Sequence, residues 1–127
     1  MKTKKDARRP QLHLVSLINK LIKRQLYVVF MTPTQKWSNG TDALLAAGLQ
    51  EHLLYLRKLQ RRKALLMAGP FAGDTGPWKG GGMMILRASS LAAARAMARA
   101  EPFQKRGLRK NEVRGWQFNV GALATAV

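Results

Sequence analysis

The chain of 127 residues contains no cysteine. That excludes a disulfide framework, a thiolate nucleophile and any cysteine-based zinc site. Histidine is scarce as well. His13 and His52 fall in different predicted elements, and no metal-ligand spacing relates them. No metal and no cofactor is expected. Long hydrophobic runs are missing: none approaches the ~20 residues that span a bilayer. The N-terminus does not read as a secretory signal, because Asn19, Lys20, Lys23 and Arg24 interrupt its apolar part and no small-residue cleavage site follows. The expected location is cytoplasmic. Acidic residues are few, six against 23 Lys and Arg, and the formal net charge is +17.

A charge of that size raises nucleic acid and anionic membrane as partners. Its distribution argues for less. Residues 1–25 carry eight Lys and Arg against one acid, Asp6. Arg57, Lys58, Arg61, Arg62 and Lys63, then Lys105, Arg106, Arg109, Lys110 and Arg114, read as solvated faces and helix ends, where cations also suit the helix dipole. No RNP, zinc-finger or homeodomain pattern is present. The charge therefore describes a basic arm on an ordinary domain, and contact with nucleic acid or membrane through residues 1–24 is not favoured.

The length fits one domain, large enough to bury roughly 65–70% of its unfolded surface. Three segments are expected: a basic extension at 1–24, an α+β domain at 25–121 and a loose tail at 122–127. Within the extension, residues 11–24 place Leu14, Leu17, Ile18, Leu21 and Ile22 at helical spacing with a cationic opposite face. Such a helix binds a membrane surface or a partner, or packs on its own domain or a second subunit. The packing reading is favoured because the polar face is short. A transit-peptide reading also exists, since the segment is basic and nearly free of acids.

Residues 25–31 are β-branched and aromatic and predict a buried strand. Residues 32–40 form a loop with Pro33 and an Asn39-Gly40 turn signal; Trp37 there either caps a pocket or covers core. A helix runs from Thr41 to about Arg62, with Thr41 or Asp42 as its cap. Leu45, Leu49, Leu53, Leu56 and Leu59 mark its buried face, His52 lies at the edge of that face, and Gly48 one turn earlier leaves space beside it. Residues 64–71 predict a second buried strand that ends, or lies at a sheet edge, at Pro70. The Gly- and Pro-rich loop 72–81 lacks the Walker lysine-hydroxyl ending and opens no helix, so it is not a phosphate cradle. A third strand covers 82–88. Ser89 caps an alanine-rich helix whose inner face is Leu91, Ala94, Met97 and Ala98, and Glu101-Pro102-Phe103 ends it. Residues 112–120 predict the fourth strand.

The order strand, helix, strand, strand, helix, strand is the split βαβ, ferredoxin-like α+β arrangement: a four-stranded antiparallel sheet with two helices on one face. The other face would be bare and asks for a second copy of itself, so a homodimer with sheets packed face to face is expected.

His52-Leu53-Leu54-Tyr55-Leu56-Arg57-Lys58-Leu59 resembles the H-L-x-Y-L-x-x-L helix signature of the YCII-related (YciI-like) family, and Ala68-Gly69-Pro70-Phe71 follows at that family's spacing. Ser89 to Ala96 and the Glu101-Pro102-Phe103 step resemble its second helix and closing D-P-F turn. The resemblance covers about residues 26–120. It implies a dimeric α+β barrel related in fold to muconolactone isomerases, and a His–Asp dyad between sheet and helices. Most members have no assigned substrate; one branch is a dehydrochlorinase acting on a chlorinated hydroxyquinol. Carried over, His52 is the dyad histidine, and Glu101 stands where the family has aspartate, one methylene longer. The extension before residue 25 lies outside the family pattern.

Imidazole titrates near neutral pH and suits a general base, and a carboxylate on its other nitrogen fixes the tautomer and favours the imidazolium. His52 is thus the candidate base and Glu101 its orienter, with Asp74 of the glycine-rich loop a second candidate carboxylate. Tyr27, Phe30, Met67, Phe71, Phe103 and Trp116 are candidate pocket or dimer-face residues, with Gly69 and Pro70 at the strand end. Two readings stand: a cofactor-free lyase or isomerase acting on a small cyclic or enol-forming metabolite, and a non-catalytic binding module whose basic arm contacts an acidic partner. In the second, His52 is a core-edge histidine satisfied by a backbone carbonyl.

Overall fold

The computed structural model describes residues 14, 16, 24–73 and 76–124. The basic arm, apart from Leu14, Ser16 and Arg24, lies outside the described residues, as do His13, Asp74 and residues 125–127. The elements are β1 (Arg24–Pro33), a single turn α1 (Gln35–Ser38), α2 (Asp42–Arg61), β2 (Leu65–Pro70), β3 (Gly82–Leu86), α3 (Leu91–Arg99), a single turn α4 (Pro102–Lys105) and β4 (Arg109–Phe118). The strands lie in the order β2-β3-β1-β4, and β3 runs antiparallel to both β1 and β2. This is the expected ferredoxin-like α+β arrangement with a four-stranded antiparallel sheet.

Register places the core. Tyr27 pairs with Leu86 and Val29 with Met84. Because strand side chains alternate between faces, Tyr27, Val29 and Met31 point the same way as Met84 and Leu86. They meet Leu59 from α2 and Ala94 and Ala98 from α3, all buried. Both long helices therefore cover one face of the sheet. The two alanines let the α3 backbone approach the strands closely. The Tyr55 hydroxyl donates to the Met97 carbonyl at 2.7 Å and ties α2 to α3.

The opposite face is not uniformly bare. Val28 and Ile85 are buried, Phe30 and Met83 are half-buried, and Trp116 is 45% exposed. These residues, with Arg114 and Gly115, line a groove of about 470 Å³.

Several boundaries move. Thr41, not Asp42, caps α2, its hydroxyl accepting from Leu44 N–H at 3.2 Å. Ser90 rather than Ser89 caps α3, accepting from Ala93 N–H at 3.0 Å from an extended backbone. The 32–40 loop contains α1, and the turn after Glu101 is the short helix α4. The strand expected to be buried at 64–71 is an exposed edge strand, which is where Pro70 is tolerated; Met67 and Phe71 are each 48% exposed. On α2 the inward positions are Gly48, His52 and Leu59. Leu53 is 55% exposed, so His52 sits at the middle of the inward face rather than its edge. Leu91, expected inside α3, is partly solvent-facing. The tail is not loose as far as Ala124: Gly121 to Ala124 form a turn, Ala124 is buried, and Arg24 Nη1 donates to its carbonyl at 2.9 Å. The fourth strand starts at Arg109, three residues earlier than predicted, and this has the largest consequence for the site.

Candidate active site

The site begins with the proline at position 102. Proline disfavours helix in the preceding residue but suits the first helical position. Glu101 accordingly adopts an extended backbone and becomes the N-cap of α4. Its side chain turns back and Oε2 accepts from the Phe103 N–H. The carboxylate is fully buried. Oε1 accepts from Asn111 Nδ2 of β4 at 3.1 Å, and the same amide nitrogen donates to the Ala98 carbonyl at 2.9 Å.

His52 reaches this carboxylate from α2. Its Nδ1 lies 3.2 Å from Glu101 Oε2. The approach is oblique, and Nδ1 has no well-aligned hydrogen-bond acceptor among the described residues. The contact is an electrostatic pairing rather than a strong hydrogen bond. It still selects a tautomer, because an ionised carboxylate only accepts and so favours a proton on Nδ1. Nε2 is then the basic nitrogen, on the opposite edge of the ring. Burial pushes the Glu101 carboxyl up, but the contacts with His52, Asn111 and the Phe103 N–H, together with charge on His52, outweigh it and hold the group below the usual carboxylate range.

Phe103 braces the histidine, ring to ring at 5.2 Å. Gly48 makes this packing possible: a Cβ there would come within 2.7 Å of Phe103 Cε1. The helix gives up about 1 kcal/mol of propensity at that position for the aromatic contact.

His52 forms part of the wall of a cavity of about 210 Å³. Leu49, Leu53 and Leu56 of α2 form one side, and Ala68, Gly69 and Pro70 of β2 another. Met31 of β1, Trp78 of the glycine-rich loop and Arg109 of β4 complete it. An apolar cavity of roughly 150 Å³ accommodates benzene, so this space suits one substituted six-membered ring.

Arg109 is the residue that the sequence reading missed. It was expected on a solvated surface, yet it is 3% exposed. Its Nε donates to the Gly80 carbonyl at 2.8 Å, and its guanidinium carbon lies 4.5 Å from the Phe103 ring centroid, 5.3 Å from Trp37 and 5.5 Å from Trp78. Gly80 has φ +101, and a side chain there would collide with the Trp37 indole. Trp37 thus belongs to an aromatic cage; it meets Phe103 at 4.8 Å and Trp78 edge-on at 5.4 Å. Burial pulls the Arg109 guanidinium below its usual value, opposed by the Glu101 charge. The signal was present: Arg109, Asn111 and Val113 alternate at strand spacing, so extending β4 backwards turns Arg109 inward with Val113.

The other expected site residues separate. Gly69 and Pro70 line the cavity, and Phe103 packs behind His52. Tyr27 lies in the core; Phe30 and Trp116 line the groove on the far face of the sheet; Met67 and Phe71 lie on the exposed edge. Asp74 lies outside the described residues. No cluster of His, Asp or Glu that could hold a metal ion, and no helix long and apolar enough to cross a membrane, occurs among the described residues.

A ferredoxin-like α+β domain that pairs a histidine with a buried carboxylate beside a ring-sized cavity is the class that fold and site define. The YCII-related domain model matches residues 26–117, and the chain belongs to that family. No curated protein matches it. Among solved structures, 5-chloro-2-hydroxyhydroquinone dehydrochlorinase from Burkholderia phenoliruptrix AC1100, in complex with 2,5-dihydroxybenzoquinone, is similar with a TM-score of 0.58 and 21% identity. The match covers 74% of this chain and 95% of that one, and at that identity it shows a shared fold.

Proposed function

We propose that the chain is a cofactor-free lyase or isomerase that moves a proton on a small cyclic or enol-forming metabolite. One observation carries the reading: Nδ1 of His52 is held against the buried Glu101 carboxylate, while the ring forms part of the wall of a cavity sized for one ring. In the proposed step, Nε2 of His52 takes a proton from the substrate and the electron pair of the broken bond moves into an enol or enolate. The imidazolium formed is stabilised by Glu101. Returning the proton to another atom completes an isomerisation; expulsion of a leaving group by the same electron pair completes an elimination. The similarity in fold to a dehydrochlorinase supports the second outcome as one chemistry this scaffold accommodates. A homodimer is part of the proposal, joined through the apolar groove over Phe30 and Trp116.

The test is turnover across a panel of cyclic enols and halogenated hydroxyaromatics. Losing a positioned general base costs roughly 10²–10⁴-fold, so His52→Ala is expected to lose rate on that scale while keeping its far-UV circular dichroism. A Glu101→Ala variant that still folds is expected to lose rate too. Unchanged turnover in both, with fold retained, removes the catalytic assignment.

A further inference from the structure

Arg109 is a buried cation without a carboxylate partner among the described residues. Removing a guanidinium from water is costly, and proteins ordinarily offset that cost with an ion pair. Here the protein acceptors are the Gly80 carbonyl and, weakly, the Met31 sulfur at 3.5 Å from Nη1. The ion pairs among the described residues do not include Arg109, and the Glu101 carboxylate is committed to Phe103, Asn111 and His52. A guanidinium has five N–H donors, so most of its capacity has no acceptor among the described residues. The cage of Trp37, Trp78 and Phe103 holds the group by its charge and its plane without consuming those donors. Arg109 is also a wall residue of the same cavity as His52, and the remaining walls are apolar.

We propose that Arg109 is the anion-binding group of this cavity, and that the site takes a small ring-sized organic oxyanion with its charged end on the guanidinium and its ring against the leucines of α2. A planar fork of N–H donors matches a carboxylate in two-point contact, and the low-polarity surroundings strengthen that contact. An oxyanion anchored on Arg109 leaves its ring within the part of the cavity that His52 borders. The proposal rests on the reading of this cavity as the reaction site, but its test measures binding and needs no turnover. A failed substrate panel and a failed binding test are therefore separate results.

The probe is benzoate, with benzamide as its neutral isostere. Trp37 and Trp78 flank Arg109, so tryptophan fluorescence reports occupancy. Wild-type chain is expected to bind one benzoate with saturable quenching, at least about tenfold more tightly than benzamide, the scale of a charge-assisted pair. Arg109→Met, which keeps the apolar stem, is expected to lose that preference. Lys58→Gln, on the exposed side of α2, is expected to keep it. Equal binding of benzoate and benzamide by the wild type overturns the proposal, as does full benzoate preference in a folded Arg109→Met. Many weak benzoate sites that weaken alike in Lys58→Gln and Arg109→Met show attraction to net charge alone, and also overturn it. If Arg109→Met does not fold, the wild-type comparison decides, with Arg109→Lys as the second variant: it keeps charge but not the fork, and its benzoate preference is expected to fall between the two.

Discussion

Replacing Glu101 with glutamine is the sharpest probe of the buried network, because it changes charge and hydrogen-bond polarity while leaving shape almost unaltered. Two N–H donors hold the carboxylate, Phe103 N–H on Oε2 and Asn111 Nδ2 on Oε1, and His52 Nδ1 lies against Oε2. An amide offers one accepting end. If that end faces Phe103, the new NH₂ meets the Asn111 NH₂, donor against donor. Rotating the Asn111 amide relieves this clash but turns its oxygen toward the Ala98 carbonyl, to which Nδ2 now donates at 2.9 Å. No arrangement satisfies every group. One buried polar pair left unmade costs about 1–3 kcal/mol. For a chain of this length that is a melting-temperature loss on the order of 3–15 °C near neutral pH. The pH dependence fixes the cause. In the native state the Glu101 pKa is depressed below its reference value of 4.5, so its contribution is fully present above that value and is lost as pH falls through the native pKa. Wild-type stability should therefore fall faster on acidification than that of Glu101→Gln, and the gap between them should close. Urea unfolding at a series of pH values from about 7 to about 3 measures it. Equal stability near neutrality, or a gap that stays constant throughout, would refute the assignment of Glu101 as a buried, multiply bonded carboxylate.

Gly48→Ala tests the packing behind His52. The gain of about 1 kcal/mol in helix propensity opposes an overpacking cost of about 1–3 kcal/mol from the Cβ against Phe103. Net stability should change little or fall modestly, while turnover drops because Phe103 is pushed against the histidine; a clear stabilisation with unchanged turnover speaks against the close approach. Tyr55→Phe removes the α2–α3 hydrogen bond to Met97 and should cost about 0.5–1.5 kcal/mol in urea unfolding, with no loss in the variant showing that this bond contributes nothing. For the proposed dimer, Trp116→Glu places a charge in the apolar groove, and sedimentation velocity should show a shift from dimer to monomer; a wild-type chain that is monomeric at micromolar concentration removes the proposal.

The element order was legible because apolar runs and turn residues alternate cleanly along 25–120, and antiparallel pairing follows from short connections. Positions within the elements were less so. The strand at 64–71 is apolar enough to be central, and only Pro70 hinted that it lies at an edge. The leucines of α2 were assigned to the core by spacing alone, whereas Leu49 and Leu53 face a cavity that helical periodicity does not distinguish from packed interior. The structure places His52 Nδ1 3.2 Å from Glu101 Oε2. Nothing in their spacing of 49 positions would have paired them, because that meeting depends on how α2 and the α4 turn dock. Arg109 was hidden by its neighbours: in a run of Lys105, Arg106, Arg109 and Lys110, one inward-facing cation looks like another solvated one.

Glutamate stands at position 101 where the resemblance implies aspartate, and the geometry turns that into an argument about reach. Glu101 caps α4 through its own backbone neighbourhood and also contacts a histidine on a different helix. The extra methylene lets one oxygen serve both while the other is fixed by Asn111, so the carboxylate is held from β4, α4 and α2 together. Its charge also opposes the loss of charge on buried Arg109. Glu101 behind His52 and Arg109 in the cavity wall carry opposite charges. Proton transfer from a bound monoanion would add one negative charge to the substrate and one positive charge to His52, between a carboxylate and a guanidinium already in place. On that proposed course each new charge forms beside one of opposite sign. His52→Ala and Arg109→Met should then fail differently: the first in turnover at saturating substrate, the second in the concentration needed to saturate. Identical kinetic defects in both would mean that the two residues do not divide the work between proton transfer and binding.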